Sequence, residues 1–232
     1  MSIDREKQIL EILLKEKKVS VHDLAKTLFV SEPSIRRDLQ SLETQNLIKR
    51  VHGGAVLEET ALSKNKIPFL IREYEQSGAK AMIAKKAINF ICDNDIVFLD
   101  ASTSCYYLIP FLASKRNLTV ITNGVKALIK LAEYGINTIS TGGNLLNSCL
   151  ALVGEEAYKT IDMYNADVAL FSCRGVSDDG YLTDISPEEN YVRKKMIQRA
   201  KKSYLLCANE KIGKSYFHNL CHKDDITEVI HE

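Results

Sequence analysis

Six short apolar runs recur through the last two thirds of this chain, at residues 96–99, 118–122, 137–140, 168–173, 204–207 and, more weakly, 226–230. Most intervals between them carry helical spacing, as at 125–132 and 188–200. Alternation of this kind leaves few folds open. Parallel strands need crossovers long enough to hold a helix, and those helices cover the sheet. An α/β fold with an open, mainly parallel sheet is therefore expected over residues 79–232. It begins with a helix over 79–91 that sets Ile83, Ala84, Ala87, Ile88 and Ile91 on one side. Residues 58–66 are polar and aperiodic, so 58–78 reads as a linker.

Residues 1–57 follow a different pattern. Ile9, Leu10, Ile12, Leu13 and Leu14 predict a first helix over 4–17. Ser20-Val21-His22-Asp23 has the form of a capping box for a short second helix, with Leu24, Ala25 and Leu28 inward. Phe29-Val30-Ser31 then makes a tight turn into a third helix, whose first-turn amides Ser31 can cap and whose start tolerates Pro33. Ile35, Leu39 and Leu42 form its apolar stripe. The opposite face holds Pro33, Arg37, Gln40 and Ser41, flanked by Ser34 and Arg36. These are side chains suited to DNA: arginine pairs with guanine, glutamine with adenine, serine with phosphate or a base edge. Asp38 lies at the core edge and is expected to make a local ion pair. Residues 47–51 alternate as a strand with Lys49 opposite Ile48, His52-Gly53-Gly54 allows a tight turn, and 55–57 return. No acidic residue occurs in 44–57, while Lys49, Arg50 and His52 sit at the hairpin. The order is that of a helix-turn-helix with a wing, expected to bind DNA over residues 1–57, the wing on the phosphate backbone or minor groove. A merely solvated amphipathic helix would not account for the hairpin.

Bulk charge adds little. Residues 1–57 carry 10 Lys/Arg against 8 Asp/Glu, and the rest 21 against 22, so DNA binding rests on placement. No apolar run approaches membrane-spanning length and no leader pattern is present, which predicts a cytoplasmic protein without membrane contact. The six cysteines form no C-x-x-C, and several lie in apolar runs, so buried reduced thiols are expected. His218-x-x-Cys221-His222 lacks a second half and reads as a surface loop; neither metal nor cofactor is expected.

In open parallel sheets, ligands bind beyond the strands' carboxyl ends. Here those ends run into Asp100-Ala101-Ser102-Thr103-Ser104, Thr122-Asn123-Gly124 and Thr141-Gly142-Gly143-Asn144. Small and hydroxyl residues before a helix suit an anion, although the same residues make ordinary turns. Lys194, Lys195 and Lys211 supply positive charge nearby in sequence, and Arg174 follows a strand end. Glu188 and Glu189 are placed for hydroxyls, with Glu189 and Arg193 also spaced as a surface pair.

These segments resemble the DeoR family of bacterial repressors. In the N-terminal part the matching pieces are V-S-x-x-S-I-R-R-D-L (30–39) and R-V-H-G-G-A (50–55). In the rest they are F-L-D-A-S-T-S (98–104), V-I-T-N (120–123), T-G-G-N (141–144) and E-E-N-Y-V-R-K-K-M-I (188–197). The resemblance implies a winged helix followed by an effector domain related in fold to sugar-phosphate isomerases. It also implies repression of a carbohydrate operon under a phosphorylated sugar. It places effector contacts at Asp100, Ser102, Thr103, Ser104, Thr122, Asn123, Gly142, Gly143, Glu189, Lys194, Lys195 and Lys211. The outer face of the third helix and the hairpin supply the expected DNA contacts, Ser31, Pro33, Ser34, Arg36, Arg37, Gln40, Ser41, Lys49, Arg50, His52 and Gly53. Two segments depart from the family pattern: Ser102-Thr103-Ser104 stands for G-T-T, and Ala208-Asn209-Glu210 for D-x-S. Two other functions stay open: a sugar-phosphate isomerase or deaminase with an appended DNA-binding domain, and an oligomerising scaffold, which leaves the wing unused. Paired half-sites in operators predict at least a homodimer.

Overall fold

The computed structural model describes residues 2–45, 47–57 and 69–232. They form two compact units, Met1–Glu75 and Gln76–Glu232.

In the first unit, α1 (Ser2–Glu16), β1 (Lys18–Ser20), α2 (Val21–Thr27) and α3 (Glu32–Thr44) precede a hairpin of β2 (Ile48–Val51) and β3 (Gly54–Leu57). The helices present Ile9, Leu13, Leu24, Ile35, Leu39 and Leu42 to one core, which Ile48 and Ala55 of the hairpin close. Ser20 caps α2, accepting from Asp23 N at 3.0 Å, which is one half of the expected capping box; the Asp23 carboxylate takes the Ser20 hydroxyl at 2.6 Å instead of the Ser20 amide. The strand β1 is unmarked in the sequence because it has only three residues. It pairs antiparallel with β3, opposing Ser20 to Gly54. The linker expectation needs correction at its far end. Residues 58–68 lie outside the described residues, but α4 (Phe69–Tyr74) is a helix, and its buried Ile71 joins the core of this unit.

The second unit opens with α5 (Ser77–Ala87), which tightens into a 3-10 turn at Ile88–Phe90. Then follow β4 (Ile96–Leu99), α6 (Thr103–Leu112), β5 (Thr119–Thr122), α7 (Val125–Glu133) and β6 (Asn137–Ser140). A hairpin of β7 (Asn144–Leu146) and β8 (Ala151–Val153) leads to α8 (Glu155–Asp162) and β9 (Ala166–Phe171). The chain ends with β10 (Gly175–Val176), β11 (Tyr181–Asp184), α9 (Pro187–Gln198), β12 (Ala200–Leu206), β13 (His218–His222) and β14 (Glu228–Ile230). Six strands form one parallel sheet in the order β14-β12-β9-β4-β5-β6. Side chains alternate across it, as in any strand. Val97, Leu99, Val120, Val168 and Leu170 pack with α5, α6 and α7 on one face. Phe98, Ile121 and Ala169 pack with Ile161 of α8 and Val192 and Met196 of α9 on the other. Both faces are covered, which is why these strands read as apolar runs rather than alternating ones.

The order has a functional consequence. From β4 the chain builds outward through β5 and β6, returns to β9 on the other side of β4, and builds outward again. The order therefore reverses between β4 and β9. In open α/β sheets the ligand crevice lies beyond the carboxyl ends at that point. Here those ends carry Asp100 and Ser172.

Candidate functional site

The surface expected to face DNA is α3 with the hairpin. Ser31 occupies the N-cap position of α3, but its hydroxyl makes no capping bond. It lies 3.0 Å from the Ser34 hydroxyl instead, correcting the expected cap. Pro33 falls in the first turn, as expected. Pro33, Arg36, Arg37 and Gln40 are exposed along the outer face, and Ser34 and Ser41 are half-buried. Arg37 reaches back toward the Ser34 hydroxyl at 3.5 Å, and Arg36 pairs with Glu32 at 3.2 Å. Asp38 is 3% exposed and is held by Arg5 of α1, whose Nη2 donates at 3.0 Å, so its ion pair is local as expected. On the wing, Lys49 and His52 are exposed. Gly53 has φ +74°, which suits glycine in the two-residue turn. Arg50, expected on the DNA backbone, has partners on α3 within the protein. Its guanidinium donates to the Gln40 carboxamide oxygen, and its amide donates to Glu43 Oε1 at 3.0 Å. Strand period explains this: Arg50 shares a face with Ile48, toward α3, while Lys49 points the other way.

The second site sits at the reversal of the sheet. Asp100 is 1% exposed and fully engaged. Its Oδ1 accepts from Ser102 N at 2.9 Å, and its Oδ2 from Ser172 N at 3.3 Å and Arg193 Nε at 2.8 Å. Arg193 lies among three carboxylates, also donating through Nη1 to Asp184 at 2.8 Å and through Nη2 to Glu189 at 3.2 Å. Burial alone would pull its guanidinium down, but Asp184, Glu189 and Asp100 hold it well above its ordinary value. The other Glu189 oxygen accepts from the Cys149 thiol at 3.0 Å.

Around this cluster stand the predicted loops. Ser102 caps α6 by accepting from Cys105 N at 3.2 Å. The helical ladder leaves the amides of Thr103 and Ser104 without an acceptor. Thr122 takes the Gly124 amide at 3.1 Å, and Asn123 donates to Leu152 O at 3.1 Å, which ties the β7–β8 hairpin across the end of β5. Ser104 Oγ and Asn123 Oδ1 are buried with no hydrogen-bond partner among the described residues. Unmet buried groups of this kind cost roughly 1–3 kcal/mol each, which a ligand or water can recover. Lys211 is half-buried and donates to Ser172 Oγ at 2.9 Å, which places its charge at this end of the sheet. Gly142 and Gly143 both have positive φ, +63° and +109°. A Cβ on Gly143 would lie 2.5 Å from Val153 O, so that glycine serves hairpin packing, whereas Gly142 has open space.

Lys194 and Lys195 do not join this cluster. Lys195 donates to Asp162 at 2.6 Å. Asp162 ends α8 just before β9, at the strands' amino ends, opposite the crevice. Lys194 is exposed. Helical rotation of about 100° per residue carries both away once Arg193 points inward. Arg193, at the centre of this cluster, reads from the sequence only as half of a surface pair. The spacing to Glu189 was the available signal; burial was not readable. Arg174 stands nearby, its Nε 3.9 Å from Asp184. His218, Cys221 and His222 lie on β13, and no group of metal-ligating side chains occurs among the described residues. No disulfide joins the six cysteines, all of them among the described residues; Cys105, Cys173 and Cys207 are buried, Cys149 and Cys221 half-buried, and Cys92 exposed.

A winged helix-turn-helix in one unit and a doubly wound sheet with a polar switch-point crevice in the other are the parts of a DNA-binding regulator with a sensor domain. Residues 5–61 match the DeoR-like helix-turn-helix domain and residues 75–232 the DeoR C terminal sensor domain, so the chain belongs to the DeoR family of transcriptional regulators. It is 31% identical to the L-fucose operon activator of Escherichia coli (strain K12), over 99% of this chain and 95% of that one. It is 30% identical to the HTH-type transcriptional repressor GlcR of Bacillus subtilis (strain 168), over 96% and 85%. Among solved structures, eIF2B delta from Chaetomium thermophilum shares the fold, with a TM-score of 0.51 and 17% identity over 67% of this chain and 56% of that one. No described helix is long and apolar enough to cross a membrane.

Proposed function

We propose that this regulator represses a carbohydrate operon and that a phosphorylated sugar, bound at the β4/β9 switch point, changes its affinity for operator DNA. The observation that carries the reading is the pair of unmet buried polar atoms, Ser104 Oγ in the open first turn of α6 and Asn123 Oδ1 after β5, at the same end of the sheet as the Lys211 ammonium. A helix start and a cation suit a phosphate. Asp100 and Glu189, held by Arg193 and already accepting hydrogen bonds from the protein, order the wall of the crevice. Gly142 lies on the neighbouring loop. The L-fucose operon activator is in line with control of a carbohydrate operon, and the transcriptional repressor GlcR with repression. The regulator acts in the cytoplasm as a homodimer or larger homo-oligomer, matching paired half-sites.

Binding is favoured over turnover because the carboxylates are already committed. Both oxygens of Asp100 and both of Glu189 accept hydrogen bonds from the protein, which leaves neither poised as a general base.

Thermal unfolding of the purified full chain against a panel of phosphorylated and unphosphorylated sugars tests this. At a hundredfold excess over Kd, a ligand that binds only the native state adds about 2.7 kcal/mol, roughly 5–10 °C for a unit of this size. At least one phosphorylated sugar should give such a shift, its unphosphorylated form should not, and Lys211→Met should reduce it. The reading fails if no phosphorylated sugar shifts the melt, or if the sugar is consumed.

A further inference from the structure

The wing and the reading helix are joined by one residue in a way that bears on which base the helix reads. Arg50 lies on the face of β2 that packs toward α3. It meets two α3 residues three apart: its guanidinium donates to the Gln40 carboxamide oxygen, its amide donates to Glu43 Oε1 at 3.0 Å, and Nη1 lies 4.0 Å from Glu43 Oε2. Arginine has donors only, so the Gln40 oxygen must be the atom turned to it. That fixes the carboxamide, with its NH2 group free of the wing. An unbraced glutamine at this place is free to rotate and to pair with adenine through both its atoms.

We propose that Arg50 is a positioning residue for base readout, not a phosphate contact: it braces Gln40 so that the carboxamide presents its NH2 donors to an acceptor on the base edge. Arg50 is exposed like Lys49 and His52, but its donors are turned to α3, which leaves Lys49 and His52 as the wing's contacts to the DNA backbone. This inference rests on the DNA-reading role of α3 and is independent of the sensor unit.

The test uses the full chain and a duplex enriched by it from a random library, with a scrambled duplex of equal length as comparison. Arg50→Met, Gln40→Ala and the double variant are measured on both across a range of salt. A positioning role predicts that Arg50→Met loses about tenfold on the enriched duplex and less than twofold on the scrambled one. Its salt slope should stay the same. The double variant should be no weaker than the weaker single one, and base preference should relax at one position, the same for both single variants. Equal losses on both duplexes would overturn the proposal, as would a salt slope shallower by about 0.9 (one phosphate contact) or multiplicative losses in the double variant. Should Arg50→Met fail to fold by circular dichroism, Arg50→Lys takes its place. Lysine keeps the charge for a phosphate but lacks the planar fork, so positioning predicts lost discrimination and a phosphate contact predicts none. A library that yields no enriched duplex would sink the DNA-reading role and this proposal together.

Discussion

Arg193→Met should destabilise the α/β unit by about 3–5 kcal/mol, the range for removing one partner of a buried ion cluster. The reason is geometric. One guanidinium serves three carboxylates, Asp100 at 2.8 Å, Asp184 at 2.8 Å and Glu189 at 3.2 Å, and it is 3% exposed. Methionine fills similar space but takes the guanidinium away from buried Asp100 and Glu189 and leaves Asp184 only the more distant Arg174, at 3.9 Å. Arg193→Lys should recover only part of the loss, because one ammonium does not reproduce three forked contacts. Lys195→Met, on the same helix but paired with Asp162 near solvent, should change stability far less. Denaturant unfolding of the four proteins checks the order; a loss below about 1 kcal/mol for Arg193→Met would show that the cluster does not support the fold.

Gly54→Ala should damage the winged unit more than Gly53→Ala next to it. At Gly54 an added Cβ would lie 2.1 Å from the Val19 carbonyl oxygen and 3.0 Å from Ser20 Cα, both backbone atoms in the paired strand β1. No rotamer change relieves such a clash, so β1 and β3 must part. The cost is about 3 kcal/mol, the upper part of the usual overpacking range. Gly53 sits at φ +74° but has open space around it, so alanine there costs only the left-handed strain, about 1–2 kcal/mol. Operator binding should disappear in Gly54→Ala and weaken in Gly53→Ala, while ligand-induced stabilisation of the sensor unit remains. Equal effects at the two positions would contradict the role assigned to β1.

The difference between those glycines shows where sequence reading stopped. The turn at His52-Gly53 was legible because its residue types are those a tight turn needs. The strand β1 was not, because Lys18-Val19-Ser20 is too short to show a period. The central strands were legible through runs such as Ile96–Leu99, but β12 was read only from residue 204. Its start, Ala200-Lys201-Lys202, is charged and exposed at the sheet's amino end. The loops at Asp100, Asn123 and Thr141 were placed from their position after strands. Arg193 was not, because its meaning depends on Asp100, 93 residues earlier, and on a helix rotation that only packing fixes. Beside it in the sequence, Lys194 and Lys195 carry the same charge and drew the expectation. Arg50 was closer to hand: its two-residue spacing from the buried Ile48 already turned it toward α3.

The measurement that bears most directly on the central claim is operator affinity of the full chain with and without the phosphorylated sugar that raises its melting temperature. If the crevice between β4 and β9 is the sensor and α3 with its wing is the reader, that sugar should change the operator Kd by roughly 5–150-fold, the usual span of coupling between two sites. By linkage, operator DNA should change the sugar's Kd by the same factor. The unphosphorylated sugar should do neither. An operator Kd that stays constant while the same sugar saturates and stabilises the protein would contradict the account.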